Sequence, residues 1–242
     1  MPPMRIHRAL ARAGIASRRR AEELVAAGRV RVDGHVAQIG ETVDPESSRI
    51  TVDGGEVAAP SGDEAWIVLH KPPGFVTSRR DPQGRSTVFD LVSDRPGLTY
   101  VGRLDYLTEG VLLFTTDGAA AHRLTHPSSE VERTYVATVR GNAKVAALQA
   151  RRGVELEDGP VYPCEAQSRP IGNRRSEFEV TLREGRTREV RRLCEALSLE
   201  VERLVRIRFG PVKLGTLPPG KTRPLTAKER RAIEAIAASQ SR

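Results

Sequence analysis

The chain has 242 residues, of which 38% are hydrophobic and 29% are charged, the composition of a folded protein with one large domain or a large and a small one. No apolar run is long enough for a membrane span or a secretory signal, and two cysteines cannot form a disulfide framework, so we expect a cytoplasmic protein without membrane contact. The 39 Lys and Arg residues exceed the 31 Asp and Glu residues to give a net charge of +8, which favours a polyanionic partner such as nucleic acid.

Two short amphipathic helices are predicted at the N-terminus. In the first, apolar residues recur at helical spacing, at Ile6, Ala9, Leu10 and Ala13, and the opposite face carries Arg5, Arg8 and Arg12. Gly14 is expected to end this helix. Ser17 is the expected N-cap of the second helix and Gly28 its C-terminal glycine, and the buried face is predicted to contain Ala21, Leu24 and Val25.

A tight β-hairpin is predicted to follow, with strands at Arg29–Val32 and His35–Ala37 joined by an Asp33-Gly34 turn. Between Met4 and Arg31 the chain has eight arginines and two glutamates, a local charge of +6 that suits contact with RNA phosphates. An amphipathic helical pair with a solvated basic face, in a genome whose codons favour arginine, is the alternative that this pattern leaves open.

Residues 4–52 resemble an S4 domain, a family that binds structured RNA. Four segments carry the resemblance: Arg12-Ala13-Gly14, Ser17-Arg18-Arg19, Ala21-Glu22 and the run from Gly28 to Gly34. The resemblance implies an S4-like domain of two helices and a hairpin over residues 1–52. It also implies RNA-binding roles for Arg5, Arg8, Arg12, Arg18, Arg19, Arg29 and Arg31.

A connector and a larger domain are predicted beyond this module. Residues 53–64 contain three glycines and a proline and no aromatic residue, which is typical of a flexible linker. In the larger domain, residues 65–242, strands are predicted at Trp66–Leu69, Val111–Thr115, Thr134–Val139 and Glu177–Leu182. Helices are predicted at Ala143–Arg151, Thr187–Leu197 and Ala227–Ala238, the last behind a capping box of Thr226 and Glu229. The pattern predicts an α+β fold with a mixed, mainly antiparallel sheet and flanking helices.

Several kinds of cofactor and catalytic site have no support in the sequence. There is no G-x-G-x-x-G after a strand and no P-loop, so neither a dinucleotide nor a methyl donor is expected. His122 and His126 have i, i+4 spacing but no third ligand, so no metal site is predicted. Cys194 lies on the apolar face of its helix and is expected to pack in the core. We therefore predict neither a cofactor nor a metal.

One carboxylate, Asp105, stands in a glycine-bounded loop, Gly102-Arg103-Leu104-Asp105, just before a predicted buried strand. An aspartate in such a loop often serves as a turn or capping residue. Asp105 and Glu109 also have the residue types of a glycosidase pair, but one motif cannot show that they flank a substrate. The residues alone leave these alternatives open.

Five segments, in order behind the S4-like module, resemble ribosomal RNA pseudouridine synthases of the RsuA/RluB type: Lys71–Gly74 (KPPG), Asp81–Arg85 (DPQGR), Gly102–Asp105 (GRLD), Glu132–Val136 (ERTYV) and Glu184–Leu193 (EGRTREVRRL). The similarity covers residues 4–225. The REVRRL form is closer to the branch that acts on large-subunit RNA, whereas Tyr106-Leu107 departs from the polar pair that is more usual after the aspartate. The resemblance implies isomerisation of uridine to pseudouridine without a cofactor or a metal.

The resemblance also implies the roles of individual residues. Asp105 is the catalytic carboxylate, and Arg191 is expected beside it, keeping it ionised in a pocket with little water. Tyr135 is expected to stack on the uracil, Arg103 to assist extrusion of the target nucleotide and Lys71 to contribute to substrate binding. Two further arginines of the Arg191 helix are expected to point to solvent or RNA: Arg188 and Arg192.

The predicted function is therefore isomerisation of a specific uridine in ribosomal RNA, most closely the large-subunit RNA. A non-catalytic RNA-binding factor for ribosome assembly, with an inert second domain, is the alternative. An S4-linked RNA methyltransferase is disfavoured because the sequence has no glycine-rich donor loop. The expected partner is ribosomal RNA or a pre-ribosomal subunit, and the protein is expected to act as a monomer.

Overall fold

The structure, a computed structural model, describes residues 3–45, 47–58, 64–93 and 95–239. The chain divides into two compact units. The small unit contains the chain up to Ala65 with the segments Asp94–Thr99 and Phe114–Ala119, and the large unit contains Trp66–Ser93, Tyr100–Leu113 and the chain from Ala120 onward. Within the described ranges, no helix has the length and apolar character needed to cross a membrane.

The small unit begins with two helices and continues with short strands. In chain order these are β1 (Met4–Arg5), α1 (Ile6–Arg12), α2 (Arg18–Ala26), β2 (Val30–Val32), β3 (His35–Val36), β4 (Thr42–Val43), β5 (Ile50–Val52) and β6 (Gly55–Glu56). An antiparallel sheet has the order β3-β2-β5-β6, and β1 pairs with β4. The predicted succession of helix, helix and hairpin is confirmed.

Local sequence signals explain the bends of this unit. The Ser17 hydroxyl accepts the Arg20 backbone N–H at 3.2 Å, so the predicted N-cap is confirmed. Asp33 and Gly34 have φ angles of 48° and 91°, the left-handed pair that a two-residue hairpin turn requires. The core of the unit includes the predicted apolar faces of both helices, Ile6, Ala9, Leu10, Ala21, Leu24 and Val25.

The regular structure of this unit extends beyond residue 52, the last residue of the predicted S4-like domain. Thr51 of β5 pairs with Glu56 of β6, and Val57 packs against the core. The first part of the predicted connector, residues 53–64, is therefore a hairpin rather than a flexible linker, because its glycines serve a turn between two paired strands. Residues 59–63 of that connector lie outside the described residues.

The chain from Trp66 onward contains most of the regular structure. Its elements are β7 (Trp66–Lys71), β8 (Thr99–Val101), β9 (Thr108–Thr115), α3 (Gly118–Thr125), β10 (Arg133–Arg140), α4 (Ala143–Ala150), β11 (Val154–Leu156), β12 (Gly159–Val161), β13 (Glu165–Gly172), β14 (Arg175–Leu182), α5 (Glu189–Ala196), β15 (Glu200–Phe209), β16 (Val212–Lys213), β17 (Thr222–Pro224) and α6 (Ala227–Ser239). Each predicted strand and helix of this region is present.

A mixed sheet is the centre of this region. Its order is β13-β14-β10-β15-β9-β7-β17, with β16 paired to β15 and β8 paired to β9. The pairs β10–β14, β10–β15, β13–β14 and β7–β17 are antiparallel, whereas β9 and β15 are parallel. The predicted α+β fold with a mainly antiparallel, mixed sheet is confirmed.

Two hydrophobic clusters join the helices to the sheet. In one, α4 and α5 pack with β10 and β14, and α5 contributes its predicted apolar face, Val190, Leu193, Cys194 and Leu197. In the other, α3 and α6 pack with β7 and β9. Thr226 and Glu229 form the predicted capping box before α6, each side chain accepting the backbone N–H of the other residue. These contacts fix the ends of β9 and α5, which flank the candidate site.

Candidate active site

The loop that carries Asp105 connects β8 to β9, and its backbone is held from several sides. The Thr77 hydroxyl donates to the Leu104 carbonyl at 2.7 Å and lies 3.3 Å from the Leu104 amide nitrogen. The Gly74 N–H donates to the Tyr106 carbonyl at 2.9 Å, and the Thr108 N–H closes a turn onto the Asp105 carbonyl at 3.0 Å. Asp105 is half-buried within this frame. The backbone that carries its carboxylate is therefore held by hydrogen bonds on both sides of the residue.

Lys71 supports the same loop from the interior. Its side chain is 0% exposed, and its ammonium donates to the carbonyls of Pro72, Tyr106 and Thr108 at 3.0, 3.2 and 2.9 Å. Burial lowers the pKa of Lys71 to about 8, although the negative charges of Asp105 and Glu109 act in the opposite direction. All three ammonium donors are directed at carbonyls, so Lys71 supports the loop, and its contribution to substrate binding stays a prediction.

Arg191 reaches the loop from the first turn of α5. Its Nη2 donates to the Leu107 carbonyl at 3.2 Å. Burial lowers the pKa of Arg191, and the charge of Arg188 adds to this effect, whereas the charge of Asp105 opposes it. The structure thus brings Arg191 into electrostatic range of Asp105. The Arg191 Nε is buried without a hydrogen-bond partner among the described residues, so this donor is available beside the loop.

Tyr135 and Arg103 have different environments. Tyr135 lies on β10 between Val180 of β14 and Arg206 of β15, and it packs against the hydrophobic cluster that contains the apolar face of α5. Its ring is half-buried at the edge of that core. Arg103 is exposed, two residues before Asp105. Tyr135 is therefore a candidate stacking surface for a base, and Arg103 is a candidate contact to RNA.

Glu109 cannot be the acid partner of Asp105 in a glycosidase pair. Arg203 donates two hydrogen bonds to its carboxylate, from Nε at 2.9 Å and from Nη2 at 2.7 Å. This bidentate contact lowers the pKa of Glu109, even though burial acts to raise it. The Arg203 contact thus stabilises the ionised form of Glu109, which disfavours this residue as the general acid of such a pair.

The arginines of the small unit that were predicted to bind RNA differ in their contacts. Four of them are held within the unit: Arg5 by the Gly40 carbonyl, Arg12 by Glu64, Arg29 by Asp53 and Arg31 by the Gly34 carbonyl. Arg18 and Arg19 are exposed at the start of α2. Burial and the nearby charge of Arg8 lower the pKa of Arg18, so α1 and α2 present like charges close together. This is the arrangement that an anionic ligand would stabilise.

The two remaining arginines predicted to contact RNA differ. Arg188 is exposed, and it begins α5 with a left-handed φ of 51°. Arg192 donates two hydrogen bonds to Asp158 at 2.7 and 2.9 Å and a third to the Thr187 carbonyl at 3.0 Å. An intramolecular ion pair therefore holds its guanidinium, and contact of Arg192 with RNA stays a prediction.

Two buried residues of this region were not predicted from the sequence: Thr77 and Arg206. Arg206 is almost fully buried on β15, donates from Nε to the Val111 carbonyl at 2.8 Å and lies 5.2 Å from the centre of the Phe209 ring. The parallel neighbour of Arg206 on β9 is Gly110, where a Cβ would come 2.2 Å from the Arg206 carbonyl oxygen. Only glycine fits there, and this close approach aligns β9 behind Asp105.

The class of protein follows from comparison with known families. The profile of RNA pseudouridylate synthases matches residues 65–196, and that of the S4 domain matches residues 4–50. The chain belongs to the RNA pseudouridylate synthase family and is an RNA pseudouridine synthase.

Individual relatives and a solved structure agree with this assignment. An uncharacterized RNA pseudouridine synthase of Mycobacterium bovis is 42% identical over 93% of this chain and 91% of its own length. Ribosomal large subunit pseudouridine synthase B of Yersinia pestis is 44% identical over 87% of this chain and 68% of its own length. A crystal structure of a pseudouridylate synthase has a TM-score of 0.65 at 27% identity and covers 95% of this chain and 99% of that one.

Proposed function

We propose that this enzyme converts a specific uridine of large-subunit ribosomal RNA to pseudouridine, with Asp105 as its catalytic carboxylate. The observation that carries this proposal is the frame around Asp105, where Thr77, Gly74 and Lys71 hold the backbone and Arg191 provides a cation. The relative from Yersinia pestis, named for the large ribosomal subunit, supports the choice of RNA.

The proposed reaction breaks the C1′–N1 bond of uridine, turns the uracil within the site and forms a C1′–C5 bond. N1 takes up a proton and C5 loses one, so the atoms of the nucleotide are conserved and no other reactant is consumed. An ionised carboxylate could add to C6, attack C1′ or remove the C2′ proton, and each route needs only Asp105 in its unprotonated form. Arg191 provides a positive charge beside the loop that carries this carboxylate.

The other site residues have supporting roles in this proposal. Tyr135 stacks on the uracil while it turns, a contact that is worth about 1–3 kcal/mol in protein–nucleic acid complexes. Arg103, exposed beside the catalytic residue, assists extrusion of the target nucleotide from its stack. Arg188 contacts the RNA backbone at the start of α5.

The small unit is proposed to hold the RNA as an S4 domain. Arg18 and Arg19, with Arg8 beside them, are its principal phosphate contacts, and the arginines that already have intramolecular partners adjust their contacts on binding: Arg5, Arg12, Arg29 and Arg31. The proposed domains are an RNA-binding domain at residues 1–52, extended by β6, and a catalytic domain at residues 65–242. The proposed partner is ribosomal RNA or a pre-ribosomal subunit. The enzyme is proposed to bind it as a monomer in the cytoplasm.

The test uses ribosomal RNA labelled with tritium at C5 of uridine, since formation of the C1′–C5 bond releases this atom to water. The wild type is expected to release tritium. Asp105→Asn is expected to release none while its affinity for the RNA stays within about twofold. Tritium release by Asp105→Asn at the wild-type rate would contradict the assignment of Asp105. Absence of release by the wild type, with RNA binding retained, would favour a non-catalytic role in ribosome assembly.

A further inference from the structure

A group of charged side chains beside the first turn of α5 has no part in the mechanism described so far. It consists of Asp158, Glu184, Arg186, Glu189 and Arg192. Asp158 lies in the two-residue turn between β11 and β12, and its carboxylate accepts from Arg192 at 2.7 and 2.9 Å and from Arg186 at 3.0 Å. These hydrogen bonds lower the pKa of Asp158 to about 2, so the carboxylate is ionised throughout the working range of pH.

Arg186 joins this carboxylate to the backbone of the hairpin and to the start of α5. Its guanidinium donates to the carbonyls of Gly159 and Pro160 at 2.9 and 2.5 Å, and to Glu184 at 2.8 and 2.9 Å. Its backbone N–H donates to the Glu189 carboxylate at 3.1 Å. The hairpin is itself anchored, because Leu156 and Val161 belong to the same hydrophobic cluster as Val190 and Leu193.

The first turn of α5 depends on these contacts. Arg188, at the N-cap position, makes no capping hydrogen bond with its side chain and has a left-handed φ of 51°. Asp158 holds Arg192, and the core holds Val190, so the backbone on both sides of Arg191 is fixed. The Arg191 side chain extends instead to the Leu107 carbonyl, in the loop of Asp105.

We propose that Asp158 is a positioning residue for catalysis, which acts through the Arg192 and Arg186 contacts to set Arg191 against the Asp105 loop. This inference rests on the proposed role of Asp105. Exposed ion pairs contribute little to folding stability, and Asp158 is nearly half exposed, so its contribution is to geometry. Small displacements of a catalytic group have large effects on rate, up to about a hundredfold for 1 Å.

The experiment compares Asp158→Asn with a matched control in single-turnover tritium release from ribosomal RNA. Glu202→Gln is that control, because Glu202 is also a carboxylate shared by two arginines, Arg140 and Arg175, at 2.5 and 2.7 Å. We expect Asp158→Asn to lower the rate of the chemical step about tenfold, with the half-saturating RNA concentration changed less than twofold. Asp158→Glu should recover most of this loss, and Glu202→Gln should leave both quantities within twofold of the wild type.

A double-mutant cycle tests whether Asp158 affects the rate through Arg191. In an Arg191→Ala background, Asp158→Asn should lower the rate less than twofold further, because the group that it positions is already absent. If Asp158→Asn is poorly folded, Arg192→Lys makes the same test, since lysine keeps the charge but cannot form the two-bond contact.

Three results would overturn the proposal: an unchanged rate for Asp158→Asn, a loss confined to RNA affinity, or an equal loss with and without Arg191. The wild type and Asp105→Asn are measured first. Absence of tritium release by the wild type, or release that does not depend on Asp105, would count against the proposed function rather than against Asp158.

Discussion

Lys71→Met removes the buried ammonium beneath the Asp105 loop while preserving the length of the side chain. The wild-type side chain donates to three carbonyls, and in the variant each of these carbonyls loses this donor at a cost of about 2 kcal/mol. Against this loss stands the cost of burial in the wild type, which lowers the pKa of Lys71 from 10.5 to about 8 and corresponds to about 3 kcal/mol. We therefore expect the variant to lose about 3 kcal/mol of unfolding free energy at pH 7.

The loss should grow in alkaline solution. Between pH 8 and 10.5 the folded wild type has released the Lys71 proton and the unfolded chain has not, so the stability of the wild type rises with pH in this window. Methionine has no proton to release. The difference in unfolding free energy between wild type and variant should therefore increase by about 2 kcal/mol between pH 7 and pH 9.5.

Urea denaturation at these two pH values measures both quantities, with Lys144→Met, at an exposed position on α4, as the control. The control should match the wild type at each pH. Tritium release by Lys71→Met should fall about a hundredfold, because the carbonyls of Tyr106 and Thr108 lose the donor that fixes the catalytic loop. A variant as stable as the wild type at pH 7, or a difference that does not change with pH, would refute this account of Lys71.

Three further predictions concern other parts of the chain. Burial and the neighbouring Glu184 raise the pKa of Glu189, so the folded protein loses stability as pH rises from about 4.5 toward neutrality. Glu189→Gln should therefore become more stable relative to the wild type between pH 4.5 and pH 8, and denaturation curves with the same difference at both pH values would argue against this. Arg18→Ala and Arg19→Ala should weaken RNA binding and reduce the slope of log affinity against log salt by about 1 each in filter-binding titrations, and an unaltered slope would mean that neither side chain contacts phosphate. Thr77→Val should lose about 1–3 kcal/mol of unfolding free energy, because the buried Leu104 carbonyl loses its donor, whereas Thr77→Ser should retain most of it.

Regular elements could be predicted where apolar residues repeat without interruption. The helix that became α5 has its apolar positions at Val190, Leu193 and Cys194, and all three are buried. The long strand β15 was missed because Arg206, a charged residue, occupies a buried position within it. Its guanidinium is tolerated there through the Val111 carbonyl and the Phe209 ring, two contacts that depend on distant parts of the chain.

The sequence predicted which residues belong to the candidate site better than it predicted their contacts. Its motif residues were visible in the sequence, and the structure brings Arg191 onto the loop of Asp105, at the Leu107 carbonyl. The environments of Lys71 and Arg192 were not visible, because each depends on partners far along the chain, the Tyr106 carbonyl for Lys71 and Asp158 for Arg192. A lysine or arginine in a motif therefore indicates a charged group but not which way it points.

The frame around Asp105 is built from carbonyl and amide groups, so it places few demands on the neighbouring side chains. Tyr106 and Leu107 are 43% and 59% exposed, and it is their backbone oxygens that Lys71, Gly74 and Arg191 hold. Substitutions at these two positions can change what the enzyme surface offers to an incoming RNA without moving the carboxylate. Variants at these two positions are therefore the first to make when the choice of uridine is studied, because the proposed catalytic carboxylate is held independently of both side chains.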